Sequence, residues 1–219
     1  MTLIIAKKNV NYVTIASDTK RCTLSLDNGI EKEESNIRKT YLLTPTILIA
    51  SAGMAAEHSI DTIKAIIASK KEVSKDDLLN CCIDVYKSHH ALFRKYNPTI
   101  CPTTQFILAG KYPGTTAPFL ILCNSNLEFT PENKEEVIIG ESATRAKTIF
   151  DEKLTGEDME SVLLASALTI KEVSENARLV GETSVLTYID PHNNVREAWV
   201  SMNRQEYTYV ASELHRKAF

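Results

Sequence analysis

Thr2-Leu-Ile-Ile-Ala6 and Tyr12-Val-Thr-Ile-Ala16 flank the polar segment Lys8-Asn-Val-Asn11. Two short apolar runs rich in β-branched residues, separated by a few polar ones, predict an antiparallel hairpin at the head of the chain. Working outward, Leu24 to Glu34 is polar and acidic and reads as a loop or weak hairpin around Asp27-Asn-Gly29. Tyr41-Leu-Leu43 and Thr46-Ile-Leu-Ile-Ala50 are two further strands, divided at Pro45. The period then changes. From Ala55 to about Ser69 apolar residues recur at helical spacing (Ile60, Ile63, Ile66, Ile67). Ser74-Lys-Asp-Asp77 is a capping signal for a second helix running to about Tyr96, before Pro98.

Strands follow at Thr104–Lys111 and Ala117–Cys123, around the Tyr-Pro-Gly turn at 112–114, and a short one at Glu135–Ile139. Two helices are expected at Ala143–Leu154 and Asp158–Ser174, with Thr155 as N-cap of the latter. Thr183–Ile189 and Arg196–Val200 return to strand around Asp190-Pro-His-Asn-Asn194. Strand runs interrupted by pairs of helices exclude the alternating pattern of a doubly wound parallel sheet. They predict an α+β chain in which two sheets carry helices on their outer faces. The length of 219 residues suits one domain spanning 1–219.

Apolar residues make up 43% of the chain and charged ones 24%, with a net charge of −3. That balance, without a basic run, argues against nucleic acid as partner. No apolar stretch approaches the roughly 20 residues that cross a bilayer. Lys7, Lys8, Asn9 and Asn11 break the first apolar run too early for a signal peptide, so a cytoplasmic location and no membrane partner are expected. Cys22, Cys81, Cys82, Cys101 and Cys123 form neither a disulfide nor a zinc pattern; reduced thiols, and no metal or other cofactor, are expected.

The chemistry centres on Thr2. Initiator methionine is usually removed before a residue as small as threonine, which would leave one residue carrying both a hydroxyl and a free α-amine. The amine can serve as the base that activates the hydroxyl. Its ordinary pKa of about 7.7–8.0 needs only a small downward shift for work at neutral pH. Three other residues suit that task. Asp18 follows the second strand, and pairing of the first two strands as a hairpin would bring it beside Thr2. Lys39, in Asn36-Ile-Arg-Lys39, held by Asp18, would favour the neutral amine and the developing alkoxide. Gly53, between a strand and a helix in Ala50-Ser-Ala-Gly-Met-Ala-Ala56, offers a backbone N–H for an oxyanion.

With these residues in place, the chain resembles the β-type subunits of the proteasome family and their simpler bacterial relative HslV. The likeness runs through Thr2-Leu-Ile-Ile, Val13-Thr-Ile-Ala-Ser-Asp18, Asn36-Ile-Arg-Lys39 and Ala52-Gly-Met-Ala-Ala-Glu57, with Ile138-Ile-Gly140 before a helix as the later glycine turn. It extends over nearly the whole chain, though its specific motifs lie in the first sixty residues. The absence of an extension before the threonine matches the β rather than the α type and implies that methionine removal suffices for maturation, as in HslV.

The resemblance implies a four-layer αββα sandwich, the fold of N-terminal nucleophile (Ntn) hydrolases, and a threonine peptidase assembled into rings. Thr2 becomes nucleophile and base, Lys39 the tuning residue, Asp18 its partner and Gly53 the oxyanion donor. The Cys22–Thr23 segment would pair with an extended peptide substrate. Peptides or unfolded proteins are the expected substrates, a homo-oligomeric ring the expected assembly, and an AAA+ ATPase a possible partner. Where the family commonly has Gly-Ser-Gly, this chain has Gly140-Glu141-Ser142-Ala143, so either Ser142 takes the serine's place with a one-residue shift or Glu141 occupies it. The family's later aspartate and double glycine are replaced by Asn176-Ala-Arg-Leu-Val-Gly181-Glu182. These departures keep two alternatives open: a catalytically inactive ring or scaffold subunit, and an Ntn amidohydrolase or peptide ligase.

Overall fold

Alternation of apolar side chains sets up two antiparallel five-stranded sheets. In the computed structural model, residues 2–24, 30–53, 56–70, 73–100, 102–112, 115 and 117–201 are described. The strands are β1 (Leu3–Lys8), β2 (Val13–Asp18), β3 (Arg21–Leu24), β4 (Ile30–Glu34), β5 (Thr40–Thr44), β6 (Ile47–Ala52), β7 (Gln105–Gly110), β8 (Phe119–Asn124), β9 (Glu132–Asn133), β10 (Glu136–Gly140), β11 (Thr183–Ile189) and β12 (Val195–Ser201). The helices are α1 (Ala56–Ala68), α2 (Lys75–Tyr96), α3 (Ala143–Lys153) and α4 (Met159–Ser174). The first sheet has the order β10-β1-β2-β11-β12 and the second β5-β6-β7-β8-β9, while β3 and β4 form a separate hairpin. The chain is thus α+β, with four helices and three antiparallel sheets among the described residues.

Successive strand residues point to opposite faces, and each face has its own core. Leu3 and Ile5 of β1 pack with Ala16 and Leu186 against Ala146, Phe150 and Leu163 of α3 and α4. Ile4 and Ala6 turn the other way and meet Leu48, Ala50, Ile107 and Leu120 of the second sheet. The far side of that sheet (Ile47, Ile49, Phe106, Leu108) packs on Ile60 and Ile63 of α1 and on Leu78, Cys82, Val85 and Tyr86 of α2. The spacing of those four α2 residues is the helical stripe one buried face requires.

The expected hairpin forms, with β1 and β2 in antiparallel register from Ile4↔Ser17 to Lys8↔Val13. Ser74 caps α2 through Asp77 N–H donating to its Oγ at 3.1 Å. The stretch 24–34 carries more strand than its polarity suggested, because β3 and β4 pair from Arg21↔Glu34 to Leu24↔Ile30. Its Asp27–Gly29 turn lies outside the described residues, as do Met1, Cys101, and Pro113 and Gly114 of the 112–114 turn. One capping assignment is corrected. The N-cap of α4 is Asp158, not Thr155: Ser161 N–H donates to Asp158 Oδ1 at 2.9 Å, and Ser161 Oγ donates to Oδ2 at 2.6 Å. A carboxylate one residue before the first turn reaches the free amides, whereas Thr155 sits three residues too early. Among the described residues no helix is long and apolar enough to cross a membrane.

Candidate active site

Two lysines join the sheets, one at each end. Lys111, just past β7, donates to the carbonyl of Asp190 (3.2 Å), just past β11. Lys39, just ahead of β5, donates to Asp18 Oδ1 (2.7 Å) at the end of β2. Thr40 pairs with Ala50 and Ala52 with Gln105, so the β6–α1 junction at Gly53 lies at the Lys39 end. Thr2 precedes β1, whose start lies beside the end of β2. Thr2, Asp18, Lys39 and Gly53 therefore share one end of the two-sheet stack.

Asp18 is fully buried and organises that end. Its Oδ1 accepts from Leu3 N–H (2.8 Å) as well as from Lys39 Nζ. Its Oδ2 accepts from Lys20 N–H (3.0 Å) and Gly181 N–H (3.0 Å). Four donors around one carboxylate satisfy a charge that would otherwise be costly to bury. Leu3 N belongs to the peptide group of Thr2, so the carboxylate holds the backbone next to the hydroxyl. Lys39, only 7% exposed, also donates to the carbonyl of Lys20 at 2.5 Å. Burial pushes its ammonium below the ordinary lysine range, and the Asp18 carboxylate opposes that fall.

Thr2 is half-buried, and its carbonyl accepts from Glu141 N–H at 2.8 Å. Even-numbered residues of β1 face the second sheet, as Ile4 and Ala6 do. By the same alternation Thr2 faces the mouth of the inter-sheet layer, on the side where Gly53 lies. Gly53 itself is exposed with φ +105°, and a Cβ there would lie 2.2 Å from Thr103 O. Close approach to its own backbone is thus sufficient to require glycine. Cys22 is half-buried on β3 opposite Glu33. Thr23 pairs with Lys32, and its side chain is outside the described residues.

No family model matches the chain, and no curated protein matches it.

Ser142 occupies the left-handed region (φ 57°) at the N-cap of α3, and its hydroxyl makes no capping bond. A non-glycine residue held there marks backbone strain next to Thr2. Gly140, paired with Leu3, has φ +100°, and a Cβ on it would fall 1.7 Å from Thr2 O. Gly140→Ala is accordingly expected to displace the Thr2 carbonyl and destabilise the fold by about 2 kcal/mol or more. Urea denaturation checks this, and a variant as stable as the parent would contradict the close approach.

The contributions of Lys20, Gly181 and Leu3 to Asp18 were not legible in the sequence. All three donate through backbone amides, which leave no mark on residue type. The stretch ending at Gly181 reaches the site through a main-chain N–H alone.

Proposed function

We propose that the chain is a threonine peptidase of the proteasome β-subunit/HslV kind, built as a four-layer αββα sandwich and working as a ring. The observation that carries this is the Lys39–Asp18 pair anchored to the Thr2–Leu3 peptide group. A buried cation held beside a hydroxyl and an amine favours the two forms that make the pair reactive, alkoxide and neutral amine.

In this mechanism removal of Met1 frees the amine. The amine takes the Thr2 hydroxyl proton, directly or through a water, and Oγ1 attacks the carbonyl carbon of a substrate peptide bond. Negative charge moves to the carbonyl oxygen, where the Gly53 N–H receives it. As the oxygen's electron pair returns, the C–N bond breaks and the leaving nitrogen takes the proton from the ammonium. The resulting ester is then attacked by water, whose proton goes to the amine; the C–Oγ1 bond breaks, Oγ1 takes that proton back from the ammonium, and the acid product leaves with Thr2 restored. Lys39 lends positive charge throughout, Asp18 holds Lys39, and Ser142 or Glu141 fills the position beside the nucleophile. Cys22 and Thr23, on the β3 strand, would pair with an extended stretch of peptide or unfolded protein, which an AAA+ ATPase could deliver.

A silent ring subunit is the second reading, favoured by the altered Gly140-Glu141-Ser142-Ala143 turn and by the stretch Asn176–Glu182, which holds no aspartate. One experiment separates the two. The chain is made in its own host, its intact mass is measured, and it is exposed to a threonine-directed electrophile. A chain lacking Met1 and carrying one adduct on Thr2 is expected. Retained Met1, or no adduct on a chain that begins at Thr2, would overturn the peptidase in favour of the silent subunit. A monomer that still turned over small amides would instead support an amidohydrolase or ligase.

A further inference from the structure

The ladder between β1 and β10 keeps one register throughout. Lys8 N–H donates to Glu135 O at 2.9 Å and Glu141 N–H to Thr2 O at 2.8 Å. Between them the pairs run from Lys7↔Glu136 to Leu3↔Gly140. Thr2 and Glu141 therefore stand directly opposite, in the same hydrogen-bonded phase as Lys8 and Glu135. Gly140, at φ +100°, turns the chain out of the regular pleat there, but the main-chain bond keeps Glu141 adjacent to Thr2, with the Thr2 amine within the span of a glutamate side chain. Elsewhere along these two strands acidic side chains on the β10 side already receive the cations of β1: Lys8 Nζ reaches Glu135 Oε1 at 2.8 Å, and Lys7 Nζ reaches Glu136 Oε2 at 3.1 Å.

We propose that Glu141 is a further residue of this site, the carboxylate that receives the α-ammonium of mature Thr2 and so sets the pH at which the amine becomes a base. This rests on the threonine-nucleophile reading above. Glu141 is half-buried, and its carboxylate has no cationic partner among the described residues. The other charged groups around this end are already engaged, apart from Arg145, which is exposed in the first turn of α3. Asp18, from β2, holds Lys39 and three backbone amides. Arg21 of β3 pairs with Glu34 at 3.2 Å, and Arg178, after α4, faces Glu33 at 3.6 Å. Lys20 also pairs with Glu33, at 3.1 Å, and Glu182 pairs with Lys171 at 3.3 Å. Cys22 lies on the same hairpin beside Lys39. Lys39 is then the cation that drives the amine toward its neutral form, and Glu141 the anion that holds its proton.

The sign follows from that opposition. A carboxylate near an amine favours the ammonium, so its removal lets the proton leave at lower pH. Glu141→Gln keeps the side chain's shape and the backbone bond to Thr2. The test uses the mature chain, with loss of Met1 verified by intact mass. The Thr2 amine is titrated by competitive acetylation with acetic anhydride across pH, read by mass spectrometry. Its midpoint is expected to fall by about one pH unit in Glu141→Gln, and the acid limb of peptide hydrolysis to fall with it. Glu135→Gln, the same charge change at the far end of the ladder, is expected to leave both unmoved. An amine midpoint unchanged in Glu141→Gln overturns the proposal. So does lost hydrolysis with an unmoved midpoint, which would make Glu141 itself the proton acceptor. The amine titration needs no turnover. A chain whose midpoint moves with Glu141 yet which cleaves no peptide would therefore refute the peptidase and leave the pairing standing.

Discussion

Replacing Thr2 by alanine is expected to reduce peptide hydrolysis at least about a thousandfold while leaving the fold intact. If Thr2 is the covalent nucleophile proposed above, its loss removes the bond-forming step itself and leaves only the residual catalysis of binding and the oxyanion donor. The fold should tolerate the change because the contacts that fix the head of β1 are main-chain. Leu3 N–H donates to Asp18, and the Thr2 carbonyl accepts from Glu141. Alanine supplies both groups equally well. The measurement is a peptide assay on purified, Met1-free protein, alongside thermal unfolding of parent and variant. Undiminished cleavage by the alanine variant would refute the assignment of Thr2.

The second large effect belongs to Lys39. Lys39→Ala strips a fully buried carboxylate of its only side-chain cation among the described residues, leaving Asp18 with three backbone amides. Breaking one side of a buried pair costs about 3–5 kcal/mol, and the remaining amides put this site toward the lower figure. Hydrolysis should fall as well, since nothing then opposes protonation of the Thr2 amine. Replacing both members, Asp18→Asn with Lys39→Met, removes the stranded charge and should recover part of the stability but none of the activity. Denaturant unfolding of the three variants gives the energies. A single variant losing under about 1 kcal/mol would mean the pair is not the anchor described here.

Much of this architecture can be read from the residues because each signal is local. The hairpin of β1 and β2, the stripe of Ile60 and Ile63, and the Ser74 cap each depend on a few neighbouring side chains. The Asp18–Lys39 bond is nonlocal, and neither charge stands out alone; it is their joint placement with Thr2 and Gly53 that makes the pair legible. What escaped was of two kinds. The pairing of β1 with β10 links residues about 130 apart, and only that register shows Glu141 facing Thr2. The cap of α4 turned on a choice between two good capping residues, Thr155 and Asp158, which propensity cannot separate and which the position of the first free amides decides. The weak hairpin of β3 and β4 was half seen, since its polar strands lack the apolar face that announces a sheet.

The alternation of β1 has one more consequence, a matter of counting. Ile4 and Ala6 enter the layer between the sheets, while Leu3 and Ile5 enter the layer beneath the helices. The hydroxyl of Thr2 inherits its direction from that phase, being two residues ahead of Ile4. Inserting or deleting a single residue between Thr2 and Ile4 would deliver the hydroxyl to the wrong layer, though every side chain of the site remained. A change of two residues would restore the direction but shift the hydroxyl along the strand by about 7 Å. The length of this stretch is therefore held as strictly as the fully buried Leu3 and Ile4 within it.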